Sequence, residues 1–251
     1  MDFFWGASPR QLARTFGILY LVNIVFGAFA LGVVPSILVT PDMAVTAHNI
    51  QAHEMLYRLG LAAHVLVTLT NIPLALIFYE LFKVVNRRLA LLDLFFGLVA
   101  TAIEAASLLS QFATVVLLGG RGYVNALPPA QLHALAYLPG DLSNTSYSVY
   151  GVFYGFGFVC EAYLVYKSTF VPKAIGALLA IDALNYLGVG FTTMLAPGVA
   201  AHLGAWTGLP TIIAEGSLCL WFLLAGVNAE RWKERARAAL RERTAQLEEL
   251  A

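Results

Sequence analysis

The sequence predicts an all-α integral membrane protein: a bundle of six transmembrane helices with both termini cytoplasmic and short helices as lids on the outer side. Three observations carry that prediction. The 251-residue chain is 59% hydrophobic and only 12% charged, with a mean hydropathy of +0.75. Soluble domains carry about 25% charged residues, so most of this chain is solvated by lipid. Six stretches, roughly 12–38, 57–82, 91–118, 143–167, 172–195 and 207–229, are long and apolar enough to cross, since a spanning helix takes about 20 mostly apolar residues. Helices satisfy their own backbone groups in lipid, and the chain has no short alternating segments of the barrel kind.

The third observation is the placement of the basic residues. Arg10, Arg14, Lys83, Arg87, Arg88, Lys167, Lys173, Arg231, Lys233, Arg235, Arg237, Arg241 and Arg243 fall on one side, thirteen in all, against Arg58 and Arg121 on the other. The rule that basic loops stay inside puts the thirteen in the cytoplasm.

Taken in order, the elements read as follows. MDFFWGASPRQLAR has no basic start and no small-residue cleavage site, so it is expected to be an uncleaved cytoplasmic lead-in. After the first span, Thr40 can cap a helix with Pro41 in its first turn. Glu54 and Arg58 are spaced to pair on that outer segment. Residues 128–138 are too few for a seventh span and read as a second short outer helix. Residues 1–229 form a single transmembrane domain, and 230–251 a charged cytoplasmic helix with Glu230–Lys233 and Glu234–Arg237 at pairing distance. That tail is expected to hold the last span near anionic headgroups, with a partner protein as the alternative. Trp206, Trp232, Tyr57 and Tyr166 fall where interfacial aromatic belts are expected. Tyr147, Tyr150 and Tyr154 either pack or line a ligand cavity.

Several function classes are disfavoured. Zero net charge gives no basic field for nucleic acid. Cys160 and Cys219 both lie in apolar runs, which argues against a disulfide framework or a CxxC site. His48, His53, His64, His133 and His202 gather toward the outer side, but without HxxxH or HExxH spacing, so no metal site is expected. Only His64 lies in a span and no span has a central lysine, which disfavours bis-histidine haem and a retinal Schiff base; no cofactor is expected.

What remains is a set of acids inside the spans: Glu104, Glu161, Asp182 and Glu215, with Glu80 and Asp93 near cytoplasmic ends where they can reach the interface. From those ends Glu161 lies about 9 Å deep, Asp182 about 15 Å, and Glu104 and Glu215 about 20 Å. Asn23, Asn71 and Asn185 share the band. Asp182, Asn185 and Tyr186 fall on one helix face, as do Glu104, Ser107 and Gln111, and His64, Thr68 and Asn71. Lipid repels such stripes, so they should face one another inside the bundle. A charged group at the bilayer centre costs about 2.5–3.5 kcal/mol on insertion scales, and no Lys or Arg lies in the band. The acids must then be neutral, share protons, or bind a cation, a ligand amine or water.

Four segments, 49-NIQAHEMLYRLG-60, 81-LFKVVNRRLALL-92, 165-VYKSTFVPKAIGALL-179 and 214-AEGSLCLWFLLAGVN-228, resemble in this order a family of bacterial multi-pass membrane proteins, domain of unknown function 4386. The strongest piece is Lys167-Ser168 followed by Pro172-Lys173-x-x-Gly176-x-Leu178-Leu179. The resemblance covers most of the chain. It implies that Glu54, Arg58, Pro172, Gly176 and Glu215 are characteristic positions, and that the protein sits in a bacterial inner membrane. It implies no activity.

The sequence therefore points to an inner-membrane protein whose carboxylate-lined intramembrane pocket binds a small molecule, proton or cation for transport or sensing. Glu104, Asp182 and Glu215 are the expected lining, with Asn71, Asn185 and His64 contributing. Asp182→Asn should then alter the ligand or ion response. The expected partners are the bilayer and a small hydrophobic or cationic ligand. Two alternatives stand beside it: an intramembrane enzyme using carboxyl acid–base pairs on an isoprenoid-like substrate, and an accessory subunit that buries its polar stripes against another membrane protein.

Overall fold

The computed structural model describes residues 7–119 and 126–249; Arg121 lies outside the described residues. Every regular element among the described residues is helical. The long ones are α1 (Pro9–Leu38), α2 (Met43–Ala52), α3 (Glu54–Phe82), α4 (Arg87–Leu118), α5 (Pro129–Lys167), α6 (Lys173–Leu195), α7 (Gly208–Leu224) and α8 (Ala229–Glu249). Helices α1, α3, α4, α5 and α6 are each long and apolar enough to cross a membrane. The sixth, α7, has 17 residues, about 26 Å of rise, close to the thickness of the hydrocarbon core.

The spans close into a ring. Helix α1 packs on α3, α3 on α4, α4 on α5, α5 on α6, α6 on α7, and α7 back on α1. Two glycines set the closest approaches. A Cβ at Gly17 would stand 2.5 Å from the backbone nitrogen of Leu223, and one at Gly176 would stand 2.7 Å from that of Tyr166. Only hydrogen fits at those crossings, as at other small-residue contacts between membrane helices.

The basic end of the ring is tied together by the chain that leaves it. Gly226, at φ +69°, turns the backbone in a way that favours glycine, and α8 departs at 101° to α7. Asn228 N–H donates to Phe170 O at 3.2 Å, and Arg231 Nη1 to Thr169 O at 3.2 Å. Trp232, expected in an interfacial belt, is instead buried, and its Nε1–H donates to Leu81 O at 2.8 Å. Its indole thus serves as the plug between α8 and the end of α3.

The outer end departs from expectation at three points. Residues 128–138 are no separate helix but the first turns of α5, which runs unbroken for 39 residues. Pro139 removes a backbone donor there, and α4 side chains engage the neighbouring carbonyls. Thr114 Oγ1 donates to Ala136 O at 3.1 Å and Ser110 Oγ to Pro139 O at 3.5 Å. The cap of α2 is Asp42 rather than Thr40; its carboxylate accepts from Ala44 N–H at 2.8 Å and Val45 N–H at 3.1 Å. The anion suits a helix N-terminus better than a hydroxyl does. Finally, α1 widens into a π-helical stretch over Ala28–Val33. Pro35 follows it and cannot donate to the turn before, so the helix takes one extra residue there. The lid helix α2 rests on α5.

Candidate functional site

The cyclic packing turns the polar stripes inward, but it sorts them into separate places. At the basic end the interior is a continuous aromatic and aliphatic core. Phe16 meets Phe222 edge-on at 5.2 Å, Phe78 stacks on Phe82 at 4.2 Å, and Phe82 meets Phe170 at 5.3 Å. Toward the outer end the helices splay around a cavity of about 490 Å³ between α1, α2, α3, α4 and α5. The π stretch of α1 contributes Ala30 and Leu31 to its wall, and Val34, Pro35 and Leu38 continue it. Exposed Asp141 and Asn144 lie at its rim.

At the buried end of this cavity stand His64 and Glu104, each about 4% exposed in its side chain. His64 Nε2 lies 3.1 Å from Glu104 Oε1. Asn71 Nδ2 donates to Glu104 Oε2 at 2.9 Å, and Asn23 Nδ2 donates to Asn71 Oδ1 at 2.8 Å. One carboxyl thus joins α1, α3 and α4 through amides and an imidazole. The two sequence stripes do meet here. His64, Thr68 and Asn71 run down α3, while Glu104, Ser107 and Gln111 run up α4. Gln111 and Ser107 continue to α5 through Ser143 Oγ, the latter at 2.8 Å. Tyr57, Tyr137, Tyr147 and Tyr150 supply aromatic walls. Among the described residues no Lys or Arg lines the cavity.

The other predicted site residues lie elsewhere. Glu215, on α7, accepts from Tyr20 OH at 2.6 Å and from Tyr186 OH at 3.1 Å. Asp182 is fully buried, and its Oδ1 accepts from Thr211 Oγ1 at 2.7 Å while Oδ2 has no partner. Asn185 Nδ2 donates to Thr207 O at 2.9 Å, pinning α6 to the start of α7. Asp182, Asn185 and Glu215 do not line the 490 Å³ cavity, and Asn71 reaches it only through Glu104. The outer-loop pair forms as spaced: Arg58 Nη2 lies 2.6 Å from Glu54 Oε1, both side chains half exposed. Glu80 is held by Lys83 Nζ at 2.6 Å.

Asp93 is a correction. Its position near the end of α4 suggested access to the interface, yet it is only 5% exposed. Helix α5 covers it, because Gly157 lets the two backbones close over the carboxylate. The signal was present in the sequence. Asp93, Gly97 and Glu104 fall on one helical stripe, so the polar face of α4 extends about three more turns than its outer residues implied. Tyr20 was missed as well; it precedes Asn23 by three residues on the inward face of α1.

Among the described residues no three His, Cys, Asp or Glu side chains are arranged to hold a metal ion. The remaining histidines sit apart from Glu104. His53 joins α2 to α3, and His202 Nδ1 lies 2.8 Å from Gly198 O in the turn before α7.

The fold and cavity define the class: an all-α multi-pass membrane protein with a polar recess built into its outer half. Residues 15–226 match the family described as Domain of unknown function (DUF4386), and the chain belongs to that family. No curated protein and no solved structure matches it.

Proposed function

We propose that the outer cavity binds a small organic molecule carrying an amine, for transport or sensing, in the cytoplasmic membrane of a bacterium. The single observation that carries this reading is Glu104, a buried acid at the blind end of a cavity that no Lys or Arg among the described residues lines. The volume falls within the range of about 300–1,000 Å³ typical of small-molecule sites. Tyrosine faces beside a carboxylate suit an organic cation, which is attracted by both. His64 and Asn71 hold Glu104 in one orientation, so the acid is set before the ligand arrives. Thirteen of the fifteen basic residues are assigned to the opposite end, and by the positive-inside rule the cavity then faces outward.

The test is binding by protein reconstituted in lipid nanodiscs. A panel of small aromatic and aliphatic amines is compared with neutral isosteres of the same shape, by thermal shift and then by titration. Amines should bind more tightly than their isosteres, and Glu104→Gln should remove at least about tenfold of that affinity, the worth of one charge-assisted hydrogen bond. Equal binding of amines and isosteres would sink the proposal.

One observation favours a second reading. A histidine and a carboxyl in contact within a cavity can act as base and orienter, so an acid–base enzyme acting on a lipid-soluble substrate uses the same pair. Product formation from membrane lipid extracts, lost in His64→Gln, distinguishes it from binding alone.

A further inference from the structure

The wall of the outer cavity is incomplete on one side. Helices α1 to α5 line it, and among the described residues α6 and α7 contribute nothing. Yet in the ring those two helices stand between α5 and α1. Helix α7 meets α1 toward the basic end. There Gly17 lies against Leu223, Cys219 Sγ donates to Gly17 O at 3.5 Å, and Tyr20 donates to Glu215. At its outer end α7 is held to α6 instead, through Asn185 to Thr207 O and Thr211 to Asp182. The outer half of α1 leans the other way, onto α3. Asn23 Nδ2 donates to Val67 O at 3.1 Å, and a Cβ on Gly60 would stand 3.1 Å from the Val34 side chain. The two helices that touch at Gly17 therefore part toward the outer side, and the cavity lies behind the opening.

Two lining residues frame that opening. Leu31 on α1 is 43% exposed and Tyr147 on α5 is 44% exposed. Leu31 follows Arg14 by 17 residues, and Tyr147 precedes Lys167 by 20. Those lengths place them about 26 Å and about 30 Å from the basic end. The hydrocarbon core is about 30 Å thick, so the opening faces the acyl chains of the outer leaflet. Above it the lid helix α2 covers the cavity, with Thr46 and Ile50 in the wall.

The lining itself is two-sided. Helix α1 presents Ala30, Leu31, Val34, Pro35, Leu38 and Val39, all apolar. Helices α3 and α4 present His64, Glu104, Ser107 and Gln111. A molecule that satisfies both walls has a polar head and an apolar tail. We infer that the ligand is an amphiphilic amine taken from the outer leaflet through the opening between α1 and α5, with its head at Glu104 and its tail along α1. The head group rests on the amine-binding reading above; the tail and the route go beyond it. Such a molecule partitions into lipid, and the bilayer delivers it at the level of the opening.

Spin labels in protein held in lipid nanodiscs test the route and the ligand separately. Leu31→Cys and Tyr147→Cys are each labelled at the new cysteine, since Cys160 and Cys219 are buried. Collisions with oxygen, which concentrates in lipid, are compared with collisions with a water-soluble nickel chelate. Leu184→Cys on the exposed face of α6 serves as the lipid reference, and His202→Cys in the outer turn as the water reference. Without ligand, both test labels should match the Leu184 label. Labels that match His202, or that resist both reagents, would overturn the lipid route whichever amine binds. The Leu31 arm decides alone if Tyr147→Cys fails to fold. Dodecylamine should then remove oxygen contact at the Leu31 label, and dodecanol should not. Glu104→Gln should abolish the protection. Equal protection by dodecanol, or none by either, would sink the amine head group and the binding reading with it, while the accessibility result without ligand is read independently.

Discussion

The two halves of the ring use the same helices for different ends. Toward the basic end, side chains from α1, α3, α5 and α7 fill the axis with stacked and edge-on phenylalanines. Toward the outer end α1, α3 and α5 part, with α2 and α4 beside them, around about 490 Å³ of open volume, whose buried end carries hydroxyls, amides, His64 and Glu104. A membrane helix gains nothing from hydrophobicity against lipid, so packing density is what holds the bundle together. The filled half supplies that density. The open half can then carry a cavity and a buried acid, both of which cost stability. The difference teaches where to expect structural failure and where to expect functional failure.

The comparison breaks most visibly at the aromatic core. Phe82 is fully buried against Phe78, Phe170 and Phe222. Phe82→Ala should cost about 3–5 kcal/mol, seen as a large fall in the melting temperature of detergent-solubilised protein. Next comes Gly17→Ala, whose new methyl group meets the Leu223 backbone and should cost about 1–3 kcal/mol by overpacking. The control lies in the open half. A Cβ at Gly140 meets nothing within 4 Å, so Gly140→Ala should leave the melt unchanged or raise it by up to about 1 kcal/mol through helix propensity. Equal losses at Gly17 and Gly140 would mean the halves do not differ in packing.

The functional side of the contrast lies among the acids. Glu104→Gln should weaken amine binding at least about tenfold. Glu215→Gln and Asp182→Asn should leave it within about twofold, because neither side chain lines the cavity. That expectation reverses the one drawn from sequence for Asp182. Its carboxyl accepts from Thr211 at 2.7 Å and does not line the cavity. A drop in amine affinity for Asp182→Asn comparable to that of Glu104→Gln would return α6 to the site.

How much of this was legible beforehand follows from what lipid imposes. The spans and the inward turn of the polar stripes could be read because a membrane forbids exposed backbone and penalises polar faces. The family resemblance also agrees with the match over residues 15–226. What periodicity could not give was which stripe meets which. His64 and Asn71 reach Glu104, while Glu215 is taken by Tyr20 and Tyr186, and that choice depends on the order of helices around the ring. The burial of Asp93 was hidden for a related reason. Depth along a helix says how far a residue lies from water, but Gly157 on another helix decides whether it is covered. The join of residues 128–138 to α5 was obscured by Pro139, which reads as a break until Thr114 and Ser110 are seen to engage the carbonyls beside it.

The smallest expected effect belongs to Glu54 and Arg58, on the first turns of α3. The pair is well formed, with Arg58 Nε also donating to Glu54 Oε1 at 2.7 Å, but both side chains are 49% exposed. Exposed pairs at this helical spacing are worth about 0.3–0.5 kcal/mol, and salt reduces that further. Arg58→Gln and Glu54→Gln should therefore each shift the melt barely above error, and the double variant should shift it no more than either alone. A loss beyond about 1 kcal/mol in a single variant would mean that water does not screen the pair where it sits. The outer half would then depend on a charged contact as well as on α2 resting on α5, and the division between a filled, stabilising half and an open, functional one would need a second structural anchor at its outer rim.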